Sequence, residues 1–325
     1  MTTDQAPLLL GSSGDSNREA FGRALVDLAT TRTDFVVFDA DVAGGTGAHH
    51  FRTAYPDRFF QFGIAEQNMM AAAAGFASVG VTVYVTTFAV FCLRAVEQAR
   101  LSIAYAGRDV KIVGSHPGLD VGPDGASAQV LEDLAIFRAI PGMVVISPAD
   151  PRETALATKA ILDYRGPVYM RTGRSPARTV LPDDYAFEIG KGRVLRPGSD
   201  VTIVACGVEA ERALDAAEIL AGDQISARVI NMSTLKPIDT ALLERCAAET
   251  GCFVTAEDHN IIGGLGGAVA EALAKTRPSP IEFVGVQDTF GESGEPGELA
   301  EKYGIGAAGI AEAARRAVAR KGVTR

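Results

Sequence analysis

Short apolar runs alternate along this chain with stretches in which apolar residues recur at helical spacing. That alternation predicts strands and helices in turn, the pattern of a parallel sheet covered by helices on both faces. In the first half, Phe35–Phe38, Val81–Val85, Val110–Val113, Val144–Ser147 and Pro167–Arg171 read as strands, with helices over 65–78, 89–105, 128–139 and 151–163. Ahead of them Ser16 and Glu19 form a capping box, and Phe21, Ala24, Leu25 and Leu28 share one face of the helix that follows. Between Thr172 and Gly198 the periodicity lapses into Arg, Pro, Gly and Asp, which places a domain boundary near residue 185 and gives domains 1–185 and 186–325. A second series follows: strands Val201–Ala205, Ala227–Asn231, Phe253–Ala256 and Ile281–Val286, with helices over 208–221, 239–249 and 266–275 and another at the end. The fold class is α/β, two domains each a three-layer αβα sandwich.

Composition agrees: 325 residues, 47% of them hydrophobic, can fill two cores. Lys plus Arg number 31 against 40 for Asp plus Glu, a net charge of -9 that argues against nucleic acid or an anionic membrane surface as partner. The N-terminal stretch has no basic region and only the run Leu8–Leu10, too little for a signal or spanning segment, so a cytoplasmic location is expected. Cys92, Cys206, Cys246 and Cys252 lack metal-ligand spacing and read as reduced core residues, without structural zinc or disulfides. The segment Gly263-Gly264-Leu265-Gly266-Gly267 opens a helix, but its third glycine is misplaced for a dinucleotide fingerprint and it does not directly follow a strand. Close packing of a helix start explains it better.

Candidate chemistry gathers in four places. The run from Phe59 to Met70 places Glu66 at the start of an Ala-rich helix behind aromatic residues. One reading is a carboxyl group in an apolar setting, its pKa raised by desolvation and suited to proton exchange. The other is a first-turn glutamate that favours the helix dipole, which residue chemistry alone prefers. Phe88 and Phe91 lie three apart after a strand, spaced to stack on a flat ring or to fill the core, and periodicity alone favours the core. His116 and Asp124 sit in the loop after the Val110–Val113 strand, where parallel sheets bind ligands. Arg171, with Arg174 and Arg18, could grip a phosphate or carboxylate, or be solvated surface arginines.

Taken together in chain order, Asp39-Ala40-Asp41, Gly63-Ile64-Ala65-Glu66-Gln67-Asn68-Met69, Thr87-Phe88-Ala89-Val90-Phe91, His116 through Gly125, Leu131-Glu132-Asp133 and Ile146 through Asp150 resemble the pyrimidine-binding domain of transketolase. The stretch from Ala256 to Gly266 is similar to the transketolase C-terminal domain, so the likeness covers nearly the whole chain. The resemblance implies thiamine diphosphate as cofactor and transfer of a two-carbon unit from a ketose to an aldehyde. It implies that Glu66 bonds the aminopyrimidine ring and drives its tautomer, that Ile64, Phe88 and Phe91 enclose that ring, and that Asp41 lines the same site. It further implies substrate-phosphate contacts from Arg18, His116 and Arg171, and substrate-hydroxyl contacts from Asp124.

Two departures from the family pattern carry information. The Gly-Asp-Gly and Asn-Asn signature that holds diphosphate and Mg²⁺ is absent, as in the C-terminal section of a split transketolase. The resemblance then implies a separate subunit that carries the diphosphate domain and Mg²⁺, most simply in an α2β2 assembly, and no metal site in this chain. In addition, Ala128 stands where relatives carry a histidine that binds the donor, and Gly45, beside Thr46, stands where a serine or threonine of the phosphate site is expected. The competing functions are a thiamine enzyme with a 2-oxo acid donor, either like deoxyxylulose-phosphate synthase or the β chain of an oxo-acid dehydrogenase, and a non-catalytic subunit of the family.

Overall fold

The computed structural model describes residues 14–321, and the Leu8–Leu10 run lies outside them. Twelve strands form two sheets. They are β1 (Phe35–Asp39), β2 (Phe59–Gln61), β3 (Thr82–Phe88), β4 (Val110–Ser115), β5 (Val144–Ile146), β6 (Val168–Thr172), β7 (Arg193–Arg196), β8 (Val201–Ala205), β9 (Ala227–Asn231), β10 (Thr234–Lys236), β11 (Phe253–Asn260) and β12 (Ile281–Val286). The first sheet runs β10-β5-β6-β4-β3-β1-β2 and the second β12-β11-β8-β9-β7. Pairing is parallel throughout except at two edges, where β10 runs antiparallel to β5 and β7 to β9. Central strands such as β4 and β6 are buried at every position, because helices cover both faces of a parallel sheet.

The αβα class holds in both halves, but only one half of the capping box forms: the Ser16 hydroxyl accepts from the Glu19 amide at the head of the Asn17–Ala29 helix, whereas the Glu19 carboxylate pairs with His50 and the Ser16 amide donates to Asp15. That helix buries Phe21, Ala24, Leu25 and Leu28 and packs on the Pro151–Asp163 helix. Elsewhere the elements depart from the periodicity. The helix expected over 128–139 starts only at Asp133, because Gln129 is held out of it, its side-chain amide donating to the carbonyls of Gly122 and Glu292. The span 89–105 breaks into a turn of α-helix at Ala89–Cys92, a tight turn at Leu93–Ala95 and a π-helical stretch at Ala99–Tyr105. The four cysteines are buried and unpaired. Among the described residues no helix is long and apolar enough to cross a membrane.

The two halves are joined by buried polar contacts. The Asp258 carboxylate accepts from the amides of Leu119 and Asp120 at 2.8 and 3.0 Å, and β10 adds a strand of the second half to the first sheet. The glycine-rich segment is a close-packed helix start: Glu257 accepts from the Leu265 and Gly266 amides at 2.6 and 2.8 Å, and a Cβ on Gly264 would fall 1.9 Å from that carboxylate. The end of the helix is thus already filled by an internal carboxyl group, whose pKa burial raises to about 7.

Candidate active site

The strand order decides what meets at the carboxyl edge of the first sheet, the edge where parallel sheets place ligand-binding loops. Reading β6-β4-β3-β1-β2 across that edge, the residues just beyond or at the strand ends are Arg174, His116, Phe88, Asp41 and the loop that leads to Glu66. Residues spread over more than a hundred positions of sequence are laid side by side.

Gln61, at the end of β2, sets the geometry at one end of this row. Its side-chain carbonyl accepts from the Asp41 amide at 2.8 Å and the Gly63 amide at 2.9 Å, and its amide nitrogen donates to Asp39. Two loops, one carrying Asp41 and the other Ile64 and Glu66, are thereby fixed to each other. Asp41 holds a left-handed φ of 66°, uncommon for a residue with a Cβ, and its side chain is exposed. Ile64 is 73% exposed, whereas Glu66, at the first position of the Glu66–Ser78 helix, is 2% exposed. The Arg94 guanidinium stands 3.4 Å from its carboxylate. Phe88 and Phe91 lie with ring planes 12° apart and centroids 5.4 Å apart. Both rings are half-buried, so they form a wall rather than core filling.

His116 forms the other end. Its ring stacks on Phe88 with centroids 4.0 Å apart, its backbone is left-handed at φ 59°, and Nδ1 lies 2.7 Å from the Ser115 hydroxyl. Burial, followed by the charges of Arg18 and Arg174, pushes its pKa down to about 3, so the imidazole is neutral at physiological pH. The Ser115 hydroxyl lies 3.0 Å from the Gly45 carbonyl oxygen, which also accepts from Arg18 Nη1 at 3.2 Å. A Cβ on Gly45 would sit 2.5 Å from the Phe88 ring, so a side chain there would require that ring to shift. The neighbouring Thr46 is buried, its hydroxyl bonded to the Ala43 carbonyl, away from this row. Arg174 approaches Asp124 at 3.6 Å, and both are partly exposed. Ala128 is half-buried in the same loop, its amide donating to the Gly125 carbonyl.

Arg171 stands apart, contrary to the expectation that it meets a substrate phosphate. It is buried beneath the loops, Nε donates to Asp133 at 2.8 Å, Nη2 pairs with the other Asp133 oxygen, and Nη1 donates to the Asp258 carbonyl at 3.0 Å. Its forked face is already spent on the Asp133 carboxylate of its own half, and its remaining nitrogen on a carbonyl of the other half. Arg174, three residues on, is the arginine that reaches the row. Arg94, Gln61 and Ser115 escaped the sequence reading, since their part depends on partners 20 to 70 positions away. Only Ser115, next to His116, carried a local signal.

The residues fit the aminopyrimidine end of a thiamine cofactor: one buried carboxylate, near-parallel aromatic rings and an exposed apolar side chain two residues before the carboxylate. They do not fit its metal. Among the described residues one group, Glu19, His49 and His50, brings three ligand atoms within 4.8 Å of one another. Its two imidazoles suit a borderline transition metal, whereas Mg²⁺ takes oxygen ligands.

Comparison with known proteins gives a consistent result. Residues 15–179 match the family "Transketolase, pyrimidine binding domain" and residues 190–310 match "Transketolase, C-terminal domain". A solved split gene transketolase, an inactive beta4 tetramer, superimposes with a TM-score of 0.87 at 46% identity, over 95% of this chain and 99% of that one. The 6-deoxy-6-sulfo-D-fructose transketolase subunit SqwH of Clostridium sp. is 41% identical over 94% of this chain and 95% of its own length. An apulose-4-phosphate transketolase subunit of Phocaeicola vulgatus is 36% identical over 91% of this chain and 96% of its own.

Proposed function

The chain belongs to the transketolase family, and we propose that it is the pyrimidine-domain subunit of a two-component transketolase that moves a two-carbon ketol unit from a ketose to an aldehyde. The observation that carries this reading is the row across the strand ends, in which a buried carboxylate, a stacked aromatic pair, a neutral imidazole and Arg174 stand in strand order, with Arg18 reaching the Gly45 carbonyl beside them. The bound cofactor, thiamine diphosphate, would supply the nucleophilic carbon that takes up and hands on the two-carbon unit.

This chain's residues would do the rest. Glu66, buried at its helix start, would hold a proton at the ring nitrogen of the aminopyrimidine, and Phe88, Phe91 and Ile64 would keep water from that ring and fix its plane. Asp41 would line the edge of the site. Arg18 and Arg174 would hold the charged end of the sugar, fixing the reacting carbon relative to the cofactor. Two relatives support an anionic sugar, for their names carry a sulfonated and a phosphorylated substrate. Asp124 would accept from a sugar hydroxyl, and Ala128 leaves the space of a histidine to another group.

Mg²⁺ and the diphosphate would be held by a partner subunit, in an α2β2 assembly with two sites at the interfaces between unlike chains. The inactivity of the split-gene tetramer built from beta chains supports this dependence. Four free, buried cysteines suit a reducing compartment, and we place the enzyme in the cytoplasm. The test is reconstitution: this chain, a subunit carrying the diphosphate domain, thiamine diphosphate and Mg²⁺, assayed by product mass over a panel of ketose phosphates, sulfonated ketoses and pyruvate. Turnover of a ketose by the mixture and by neither protein alone is expected. Turnover by the lone chain, or of pyruvate only, overturns the reading.

A further inference from the structure

We propose that Glu19, His49 and His50 form a binding site for one transition-metal ion of the zinc class, held between the Asn17–Ala29 helix and the His49–Ala54 helix and separate from the Mg²⁺ of the cofactor. The inference goes beyond the proposed function and does not depend on it.

Two of the chain's four histidines are consecutive here, and the other two, His116 and His259, are buried elsewhere. Successive side chains of a helix point about 100° apart. Yet His49 and His50, at the head of their helix, lie ring on ring, with centroids 4.0 Å apart and planes 35° apart. Both reach the same carboxylate: one ring nitrogen of each and one oxygen of Glu19 all lie within 4.8 Å of one another. His50 Nε2 is 2.7 Å from Glu19 Oε2, while His49 Nδ1 is buried without a hydrogen-bond partner among the described residues. The His49 ring has therefore not committed both its nitrogens to the protein.

The backbone sets the three ligands at this spacing. A Cβ on Gly22 would fall 2.0 Å from the Gly47 carbonyl oxygen and 3.0 Å from His50 Cδ2, and one on Gly47 would fall 2.0 Å from the Arg18 carbonyl oxygen. The first helix and the turn before His49 thus meet backbone to backbone, which puts Glu19 opposite the histidines. Two ligands on one tetrahedral zinc ion, each bonded at about 2.0–2.1 Å, sit about 3.3 Å apart, so small side-chain rotations close the set. Two imidazoles and a carboxylate make a three-ligand zinc site with a fourth position left to water, whereas Mg²⁺ takes oxygen ligands. A groove lined by Arg23, Val26, Asp27, Thr53 and Ala54 opens onto His50 and gives the ion a way in. Arg23, the cation in that groove, is paired with Asp15. Because Arg18 precedes Glu19 and its Nη1 donates to the Gly45 carbonyl, the ion would clamp together the two elements that carry Arg18 and Gly45.

Calorimetry on the full chain, stripped of metal by a chelator, tests the site with zinc as the probe. One equivalent should bind with a micromolar or tighter Kd, and a saturating concentration should raise the melting temperature by a few degrees, because the ion binds the folded chain. Cobalt in its place should give the intense visible absorption of a four-coordinate ion, and magnesium in large excess should displace neither. His49→Gln and Glu19→Gln each remove one ligand; each should weaken zinc at least tenfold and abolish the cobalt band. Without metal, their melting temperatures should stay within about a degree or two of wild type. If one variant fails to fold, the other decides. Zinc affinity within about twofold of wild type in a folded variant marks adventitious metal only and overturns the proposal, as does displacement by magnesium or a cobalt complex without the intense band. None of these readouts passes through turnover, so they separate this site from the proposed function.

Discussion

Asp41 and His116 are two of the four described non-glycine residues with a left-handed backbone, and both stand in the row at the strand ends. Strain of this kind costs on the order of 1 kcal/mol or more and gathers where the fold aims a side chain at a ligand. The residue types that gather there were legible one by one: Glu66, Phe88, Phe91 and His116, singled out in the sequence, all lie in or beside that row. Arg171 does not, because its position at a strand end says nothing about which face it takes, and on the buried face Asp133 consumes its donors. Two substitutions bear on this scale. Glu66→Gln preserves shape and removes the exchangeable proton, so the reconstituted enzyme should lose roughly 10²–10⁴ in kcat with cofactor still bound, as seen by single-turnover kinetics and calorimetry. Ala128→His should restore a donor hydrogen bond worth about 1.5–3 kcal/mol, raising kcat/KM for xylulose 5-phosphate by roughly ten- to a hundredfold at the expense of the preferred substrate. Equal rates for both proteins on both sugars would remove Ala128 from the specificity argument.

At the scale of elements, the long buried strands were legible from their apolar runs, whereas β2, β7 and β10 were not. They are three or four residues long, and two of them are antiparallel edges whose pairing is set by the sheet they join rather than by any local pattern. The irregular 118–132 loop was hidden for a related reason: Gln129 finds its partners across the molecule. The tip of β11 carries a testable consequence of such long-range contacts. His259 Nδ1 donates to the Asn260 carbonyl, and Nε2 accepts from the Ala135 amide at 3.4 Å, in the other half. Burial and then the Arg171 charge push its pKa down to about 4, against the opposing pull of Asp133, with Glu257 also 3.7 Å away. A histidine depressed in the folded state contributes stability that is complete above its unfolded value near 6.5 and is lost as pH falls toward 4. The melting temperature should therefore drop through that window, by up to about 1.4 kcal/mol of stability per pH unit from this group. His259→Gln, which can donate and accept but not titrate, should flatten the slope; an unchanged slope would assign the acid sensitivity elsewhere.

At the scale of the whole molecule, the site has a buried side and an open side. Glu66 is enclosed, yet Ile64, two residues earlier, is 73% exposed. Leaving an isoleucine in water forgoes about 1.5–3 kcal/mol that another surface could recover by covering it. That exposure ends if the diphosphate-bearing subunit closes over Ile64. The lone chain should then bind thiamine diphosphate weakly, and calorimetry should show tight, Mg²⁺-dependent binding only in the mixture. Ile64→Asp separates this from a folding effect. Because the side chain is exposed in the lone chain, its melting temperature should move by no more than a degree or two, whereas in the mixture a carboxylate would be buried at the interface beside Glu66, and cofactor affinity and turnover should both fall at least tenfold. A variant that assembles and turns over like wild type would show that Ile64 stays in water in the complete enzyme, and the partner would have to complete the site from another side.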